Sequence, residues 1–191
     1  MANQVIIEGS GRHIHLKQET LEKLFGAGFQ LQVKKMLSQP GQFASDSKVE
    51  VTGPKGSLKM SVLGPCRNAD QVELSFTDAR VLGLSCPVRE SGDLAGTPGC
   101  TLTGPAGSVE IPEGCIIAKR HIHFTPEDAE KFGVKDKEIV QVAVEGDRAL
   151  IFDEVVCRVN ASYATFMHVD YDEINAGSIF GKDPVGTVIK K

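Results

Sequence analysis

Four of the five histidines in this chain fall in two copies of one tetrapeptide, Arg12-His13-Ile14-His15 and Arg120-His121-Ile122-His123. The copies lie 121 − 13 = 108 positions apart. On a helix, residues two apart point away from each other. On a strand they share a face, separated by two rises of about 3.3 Å. Imidazoles at that spacing can converge on one cation through Zn–N bonds of about 2.0–2.1 Å. The β-branched Ile14 and Ile122 favour a strand and turn to its other face. A single His-x-His is more often a surface or hydrogen-bonded strand pair. Its repetition is what points to metal ligands.

The fifth histidine, His168, lies in Phe166-Met167-His168-Val169-Asp170. With His121 and His123 it would complete a three-histidine set with one position left for water or substrate. Asp170 could then hydrogen-bond a ligand imidazole. The alternative is a core histidine in a strand. His13 and His15 need a further ligand. Glu73 alternates with Val72 and Leu74 and therefore faces away from them; either solvation or a ligand role satisfies it. Arg67 follows Leu63-Gly64-Pro65-Cys66 and reads as a solvated turn residue. Beside two dications it would instead suit a tetrahedral oxyanion through bidentate contacts. Ser91-Gly92-Asp93 is a turn with a hydroxyl and free amides. Cys66 has no histidine beside it in sequence and reads as a buried thiol rather than an activated thiolate. No Walker loop or dinucleotide-binding glycine fingerprint occurs.

These side chains must be held by a modest scaffold. A chain of 191 residues suits one large or two small domains, and 41% hydrophobic residues are enough for a core. The net charge of −4 comes without a Lys/Arg run. That argues against nucleic-acid binding, which rests on many cationic phosphate contacts. Met1 to Ser10 contains no apolar run of signal-peptide or membrane-span length. Five cysteines, an odd number with no Cys-x-x-Cys pair, read as reduced and mostly buried thiols.

Short β-type runs alternate with turns. Val5-Ile6-Ile7 leads into the first histidine pair, and Gln18 to Phe25 reads as a helix stopped by Gly26. After the second pair, Thr125 suits an N-cap, Pro126 the first helical position and Gly133 the C-cap. The repeat is therefore strand, short helix, then Phe-Gly. Gly53-Pro54-Lys55-Gly56 and Gly104-Pro105-Ala106-Gly107 read as tight hairpin turns. Strands are expected at Val72 to Phe76, Ser108 to Ile111, Cys115 to Ala118, Ile139 to Val144 and Val155 to Val159. A helix start is expected at Asp172 to Ala176, its carboxylates near the positive end of the dipole. Many short strands with few short helices imply a mainly β protein of two small β-barrel domains with short capping helices.

Taken together, these stretches resemble the PduL-type phosphotransacylases, or phosphate propanoyltransferases, over nearly the whole chain. The resemblance rests on both Arg-His-Ile-His stretches, Gln39-Pro40-Gly41-Gln42-Phe43, Gly53-Pro54-Lys55-Gly56, Leu63-Gly64-Pro65 with Arg67, and Gln71-Val72-Glu73. It extends through Pro87-Val88-Arg89 with Ser91-Gly92-Asp93, and His168 with Asp170 to Ala176. It implies reversible transfer of a short acyl group, propanoyl or acetyl, between coenzyme A and inorganic phosphate, giving acyl phosphate. It implies one barrel from residues 1–11 with 119–191 and another from 12–118, the active site at their interface. Two zinc ions or other divalent metals would be held by His13, His15 and Glu73 and by His121, His123 and His168. Arg67 corresponds to the catalytic, phosphate-binding arginine, and Ser91 to a serine close to the phosphate. Ser10, Gly11, Lys55 and Asn175 fall at positions that contact coenzyme A.

This chain departs from the family in places. Gly11 stands where asparagine is common, Ser61 where an arginine is usual (Lys59 could substitute), and Tyr171 where a small hydroxyl residue is usual. Microcompartment members often carry an amphipathic N-terminal extension. This chain has none, so a cytoplasmic bacterial enzyme is expected rather than one in the microcompartment lumen. A homodimer is expected, with an acyl kinase downstream and no nucleic-acid or membrane partner. The rival reading of the same ligands is a two-metal hydrolase of phosphoesters or thioesters, in which water attacks.

Overall fold

The computed structural model describes residues 3–191. The chain divides into two compact units. One comprises Met1–Ser10, Ser38–Pro40 and Lys119–Lys191; the other comprises Gly11–Leu37 and Gly41–Ala118. Strand β1 (Gln4–Ser10) opens the first unit. The second unit follows with β2 (His13–His15), α1 (Gln18–Phe25), β3 (Val33–Met36), β4 (Phe43–Thr52) and β5 (Ser57–Gly64). It continues with β6 (Gln71–Leu74), α2 (Phe76–Leu82), β7 (Val88–Arg89), β8 (Cys100–Thr103), β9 (Ser108–Ile111) and β10 (Cys115–Ala118). The first unit resumes with β11 (His121–Phe124), α3 (Pro126–Phe132), β12 (Ile139–Val144) and β13 (Leu150–Val159). It ends with β14 (Phe166–Asp170), α4 (Tyr171–Gly177) and β15 (Val185–Lys190).

The fold is mainly β with short helices, as the sequence implies. The first unit is a closed barrel in the order β1-β14-β11-β13-β12-β15. The second is a nine-stranded sheet in the order β7-β10-β6-β2-β5-β4-β8-β9, with β3 added on β4. Both follow one plan. A strand leads into a helix and then into further strands, and this occurs twice. The two leading strands pair antiparallel, β2 with β6 and β11 with β14. Each also pairs parallel with a further strand of its unit: β2 with β5, β6 with β10, β11 with β13, β14 with β1. Each unit has its own core. Ile14, Val62 and Val72 belong to one, Ile122, Val155 and Met167 to the other.

Local chemistry explains the helix boundaries. Thr125 caps α3 through Asp128 N, Pro126 stands in its first turn, and Gly133 ends it at φ 66°. Gly26 stops α1. The strand expected over Val72 to Phe76 ends at Leu74. There Ser75 accepts a hydrogen bond from Asp78 N, and the Asp78 side chain answers the Ser75 amide. This capping box commits Phe76 to the start of α2.

The two Gly-Pro-x-Gly turns do more than reverse the chain. Each closes with a Gly-to-Gly bond of 2.9 Å. Each also sits on the helix of the other half: Lys55 N donates to Leu82 O at 3.0 Å and Ala106 N to Leu24 O at 2.9 Å. A Cβ on Gly53 would lie 2.4 Å from Leu82 O, and one on Gly104 2.4 Å from Leu24 O. Glycine is required for the close approach. Gly104→Ala should therefore lower stability by about 1–3 kcal/mol, read as an earlier urea midpoint. An unchanged midpoint would show that the helix end moves freely away.

Candidate active site

In the second unit, β2 and β6 run antiparallel with His13 opposite Glu73, Ile14 opposite Val72 and His15 opposite Gln71. Alternation sends Ile14 and Val72 into the core and leaves His13, His15, Gln71 and Glu73 on the other face. His13 and His15 bring their Nε2 atoms within 3.2 Å of each other. Glu73 Oε2 lies 3.5 Å from His13 Nε2 and Oε1 lies 3.8 Å from His15 Nε2. Tetrahedral zinc with bonds of about 2.0–2.1 Å would separate two nitrogen ligands by about 3.3 Å. The donor set therefore fits a small divalent cation. His13 Nδ1 lies 2.8 Å from the Gly11 carbonyl, which can only accept, so Nδ1 holds the proton and Nε2 offers a lone pair. Two ring nitrogens as close as those of His13 and His15 need a proton or a cation between them.

All three side chains are buried, and the charges answer one another. Burial pushes the Glu73 carboxyl up, but His13 beside it, then His15 and Arg67, hold it well below the usual carboxylate range. Burial pushes His13 down, and Glu73 more than restores it, leaving its pKa raised. Burial, then His13 and Arg67, hold His15 well below the ordinary histidine value. Glu73 is thus ionised and His15 neutral at neutral pH, the states a metal ligand needs.

Arg67 joins this set. Its backbone N donates to Leu16 O at 2.8 Å, and its Nη1 donates to Ser91 Oγ at 3.3 Å. Ser91 Oγ in turn donates to Glu73 Oε1 at 3.2 Å. Gln71 Nε2 donates to both Ser91 Oγ and Glu73 Oε1, while Gly92 N donates to Gln71 Oε1 at 2.8 Å. Guanidinium, hydroxyl and carboxylate thus form one chain. Gln71 escaped the reading of single residues. The signal was present: it stands two before Glu73 on one strand, the spacing of each histidine pair.

The first unit repeats the construction. Its β11 and β14 place His121 opposite His168, Ile122 opposite Met167 and His123 opposite Phe166. His168 thus occupies the place that Glu73 holds in the other unit. The ring centres lie 4.6 Å apart for His121–His123, 5.3 Å for His121–His168 and 5.0 Å for His123–His168. His121 Nδ1 donates to Lys119 O at 2.8 Å, matching His13 and Gly11. Among the described residues, only His13, His15 and Glu73 bring one ligand atom each within 4.8 Å of one another. The three-histidine set is looser. Tyr163 packs against His123, ring centres 4.2 Å apart. Asp170 is taken up by α4, where its side chain accepts from Glu173 N at 2.9 Å.

The arginine of each tetrapeptide has a matching task. Arg12 Nη1 donates to Asp78 Oδ1 at 2.7 Å, and Arg120 Nε lies 2.9 Å from Glu173 Oε1. Both acids are the third helical residue of a capping box. Each arginine thus ties the entry of a histidine strand to the helix that follows its antiparallel neighbour. Burial pushes Glu173 up to about 7, with Arg120 opposing.

The remaining positions are distributed. Ser10 ends β1 in register with Asp170, and Asn175 is exposed on α4, its carbonyl accepting from Arg148 Nη1 at 3.1 Å. Gly11 supplies the carbonyl to His13, and Lys55 is exposed on its hairpin turn. All five cysteines are free thiols. Burial, then Asp70, pushes Cys66 up, and its thiol donates to Gln18 Oε1 at 3.5 Å, so it is no activated nucleophile.

Residues 6–179 match the family model described as phosphate propanoyltransferase. A phosphate propanoyltransferase of Clostridioides difficile is 54% identical over 97% of this chain and 88% of its own length. One of Listeria monocytogenes is 52% identical over 98% and 88%, and one of Thermotoga maritima 54% identical over 92% and 84%.

A protonated imidazole has no lone pair, so protons and metal compete for His13. Its raised pKa brings that competition in at a higher pH than for an ordinary histidine. Zinc affinity at the His13–His15–Glu73 set should fall as pH drops from 8 to 6. The slope should approach about tenfold per pH unit for each proton displaced. Chelator competition at several pH values measures it; a flat profile would contradict the assignment.

Proposed function

The chain belongs to the phosphate propanoyltransferase family and is an acyltransferase; on that premise we propose that it moves a propanoyl or acetyl group reversibly between coenzyme A and inorganic phosphate, assisted by two divalent metal ions. The observation that carries this reading is the hydrogen-bonded chain from Arg67 through Ser91 to Glu73. It sets an anion-binding guanidinium and a hydroxyl beside buried groups of metal-ligand chemistry.

Arg67 and Ser91 bind the phosphate and hold one oxygen toward the thioester carbonyl carbon. A carbon–oxygen bond forms, the carbon–sulfur bond breaks, and coenzyme A leaves as its thiolate. Acyl phosphate is the product, and the reverse reaction retraces the path. The chain contributes positioning and fixed charge rather than a covalent acyl-enzyme. Gln71 holds Ser91 and Glu73 in one orientation. His13, His15 and Glu73 would hold one metal, His121, His123 and His168 the other, zinc being the ion their donor types suit. Bound there, such ions supply Lewis-acid polarisation of phosphoryl and carbonyl oxygens. Ser10, Gly11, Lys55 and Asn175 are the positions assigned to coenzyme A. The same reading makes the protein a homodimer of the bacterial cytoplasm that hands acyl phosphate to an acyl kinase.

Arg67→Ala should lower kcat/KM by about 10²–10³-fold while bound metal is retained; near-normal turnover would remove Arg67 from the mechanism. Incubating the enzyme with propanoyl-CoA, with and without phosphate, tests the reaction class. Acyl phosphate formed only when phosphate is present supports transfer. Free propanoate released without phosphate would identify a hydrolase.

A further inference from the structure

His13, His121 and His168 differ in what stands behind their rings. His13 and His121 each turn Nδ1 to a backbone carbonyl two residues earlier. Besides His121 and His123, the neighbours of His168 include Glu8 of β1 and Gln39 of the Ser38–Pro40 segment. Gln39 is 5% exposed, and its amide is fixed by two backbone contacts: Nε2 donates to Ala164 O at 2.9 Å and Oε1 accepts from Ala164 N at 3.3 Å. So oriented, Gln39 Nε2 lies 3.3 Å from His168 Nε2. An amide nitrogen can only donate, so His168 Nε2 must accept. His168 therefore carries its proton on Nδ1. Nδ1 faces Glu8 Oε2 at 3.8 Å. That exceeds a hydrogen bond, yet the carboxylate still attracts the N–H. Glu8 and His168 are direct partners in the parallel pairing of β1 with β14, and Ser38 Oγ donates to the same Glu8 oxygen at 2.5 Å.

We propose that Glu8 is a positioning residue of the three-histidine set, orienting His168 and holding its proton on Nδ1 so that Nε2 is presented to a divalent cation. The inference rests on the metal reading above. A carboxylate behind a ligand imidazole fixes its tautomer and strengthens it as a donor. Ser38 holds the carboxylate in place. Gln39 occupies the His168 lone pair when no cation does, and gives it up when one arrives. In the His13–His15–Glu73 set the place of His168 is held by Glu73 itself, and Glu8 faces none of its three members. Removing Glu8 should therefore weaken one metal site and spare the other.

The test uses the full chain stripped of metal and retitrated with zinc against a chromophoric chelator. His121→Ala and His13→Ala assign the two sites. Glu8→Gln should weaken the three-histidine site by about 10–100-fold, leave the other unchanged, and leave the melting temperature of the metal-free protein unchanged. Glu8→Asp should recover part of the affinity. Ser38→Ala, which keeps the carboxylate but frees it, should give a smaller loss at the same site and serves if Glu8→Gln does not fold. Two wild-type sites with Glu8→Gln and Ser38→Ala isotherms overlaying the wild type would overturn the role of Glu8 alone. A wild-type protein that binds fewer than two zinc ions would overturn the metal reading beneath it.

Discussion

Each histidine set depends on the register of one antiparallel strand pair in its own unit. In one unit His13 must stand opposite Glu73, and in the other His121 opposite His168. A slip of one residue would turn the histidines into the core and bring Ile14 and Ile122 to the site. Burial prevents that slip, because both isoleucines are fully enclosed. The hydrophobic cores thus set the positions of the polar groups on the opposite face.

Around these pairs each unit repeats one plan, and the repetition distributes the supports. In the second unit a hairpin from each half sits on the helix of the other, with glycine where any side chain would strike a carbonyl. An arginine leading each histidine strand binds the acid that caps a helix in the opposite half. These contacts cross between halves, so each half holds the other in place. Burial makes the central set demanding. A carboxylate removed from water is tolerated only with compensating charge, and Glu73 has His13, His15 and Arg67 around it. Loss of any one of them leaves the others unbalanced, which couples the integrity of the site to its chemistry.

Much of this was legible in the residues. The doubled tetrapeptide, the Gly-Pro-x-Gly turns, the Thr125-Pro126 helix start and the terminating glycines are local signals, and local physics governs them. The residues themselves suggested grouping His168 with His121 and His123, and family resemblance favoured the ligand reading of Glu73 over a solvated one. Gln71, Gln39 and Glu8 carried weaker signals. Each is an ordinary polar residue whose meaning comes from the side chain beside it.

The sequence alone determined which side chains share a strand face, where helices begin and end, and which turns need glycine, because these follow from backbone geometry within a few residues. Only the tertiary structure decided which strand lies against which. That choice makes Glu73 the partner of His13, ties Arg67 through Ser91 to the same carboxylate, and sets Glu8 behind His168. Pairing between distant strands is settled by the packing of a whole core, and no short stretch of residues contains it.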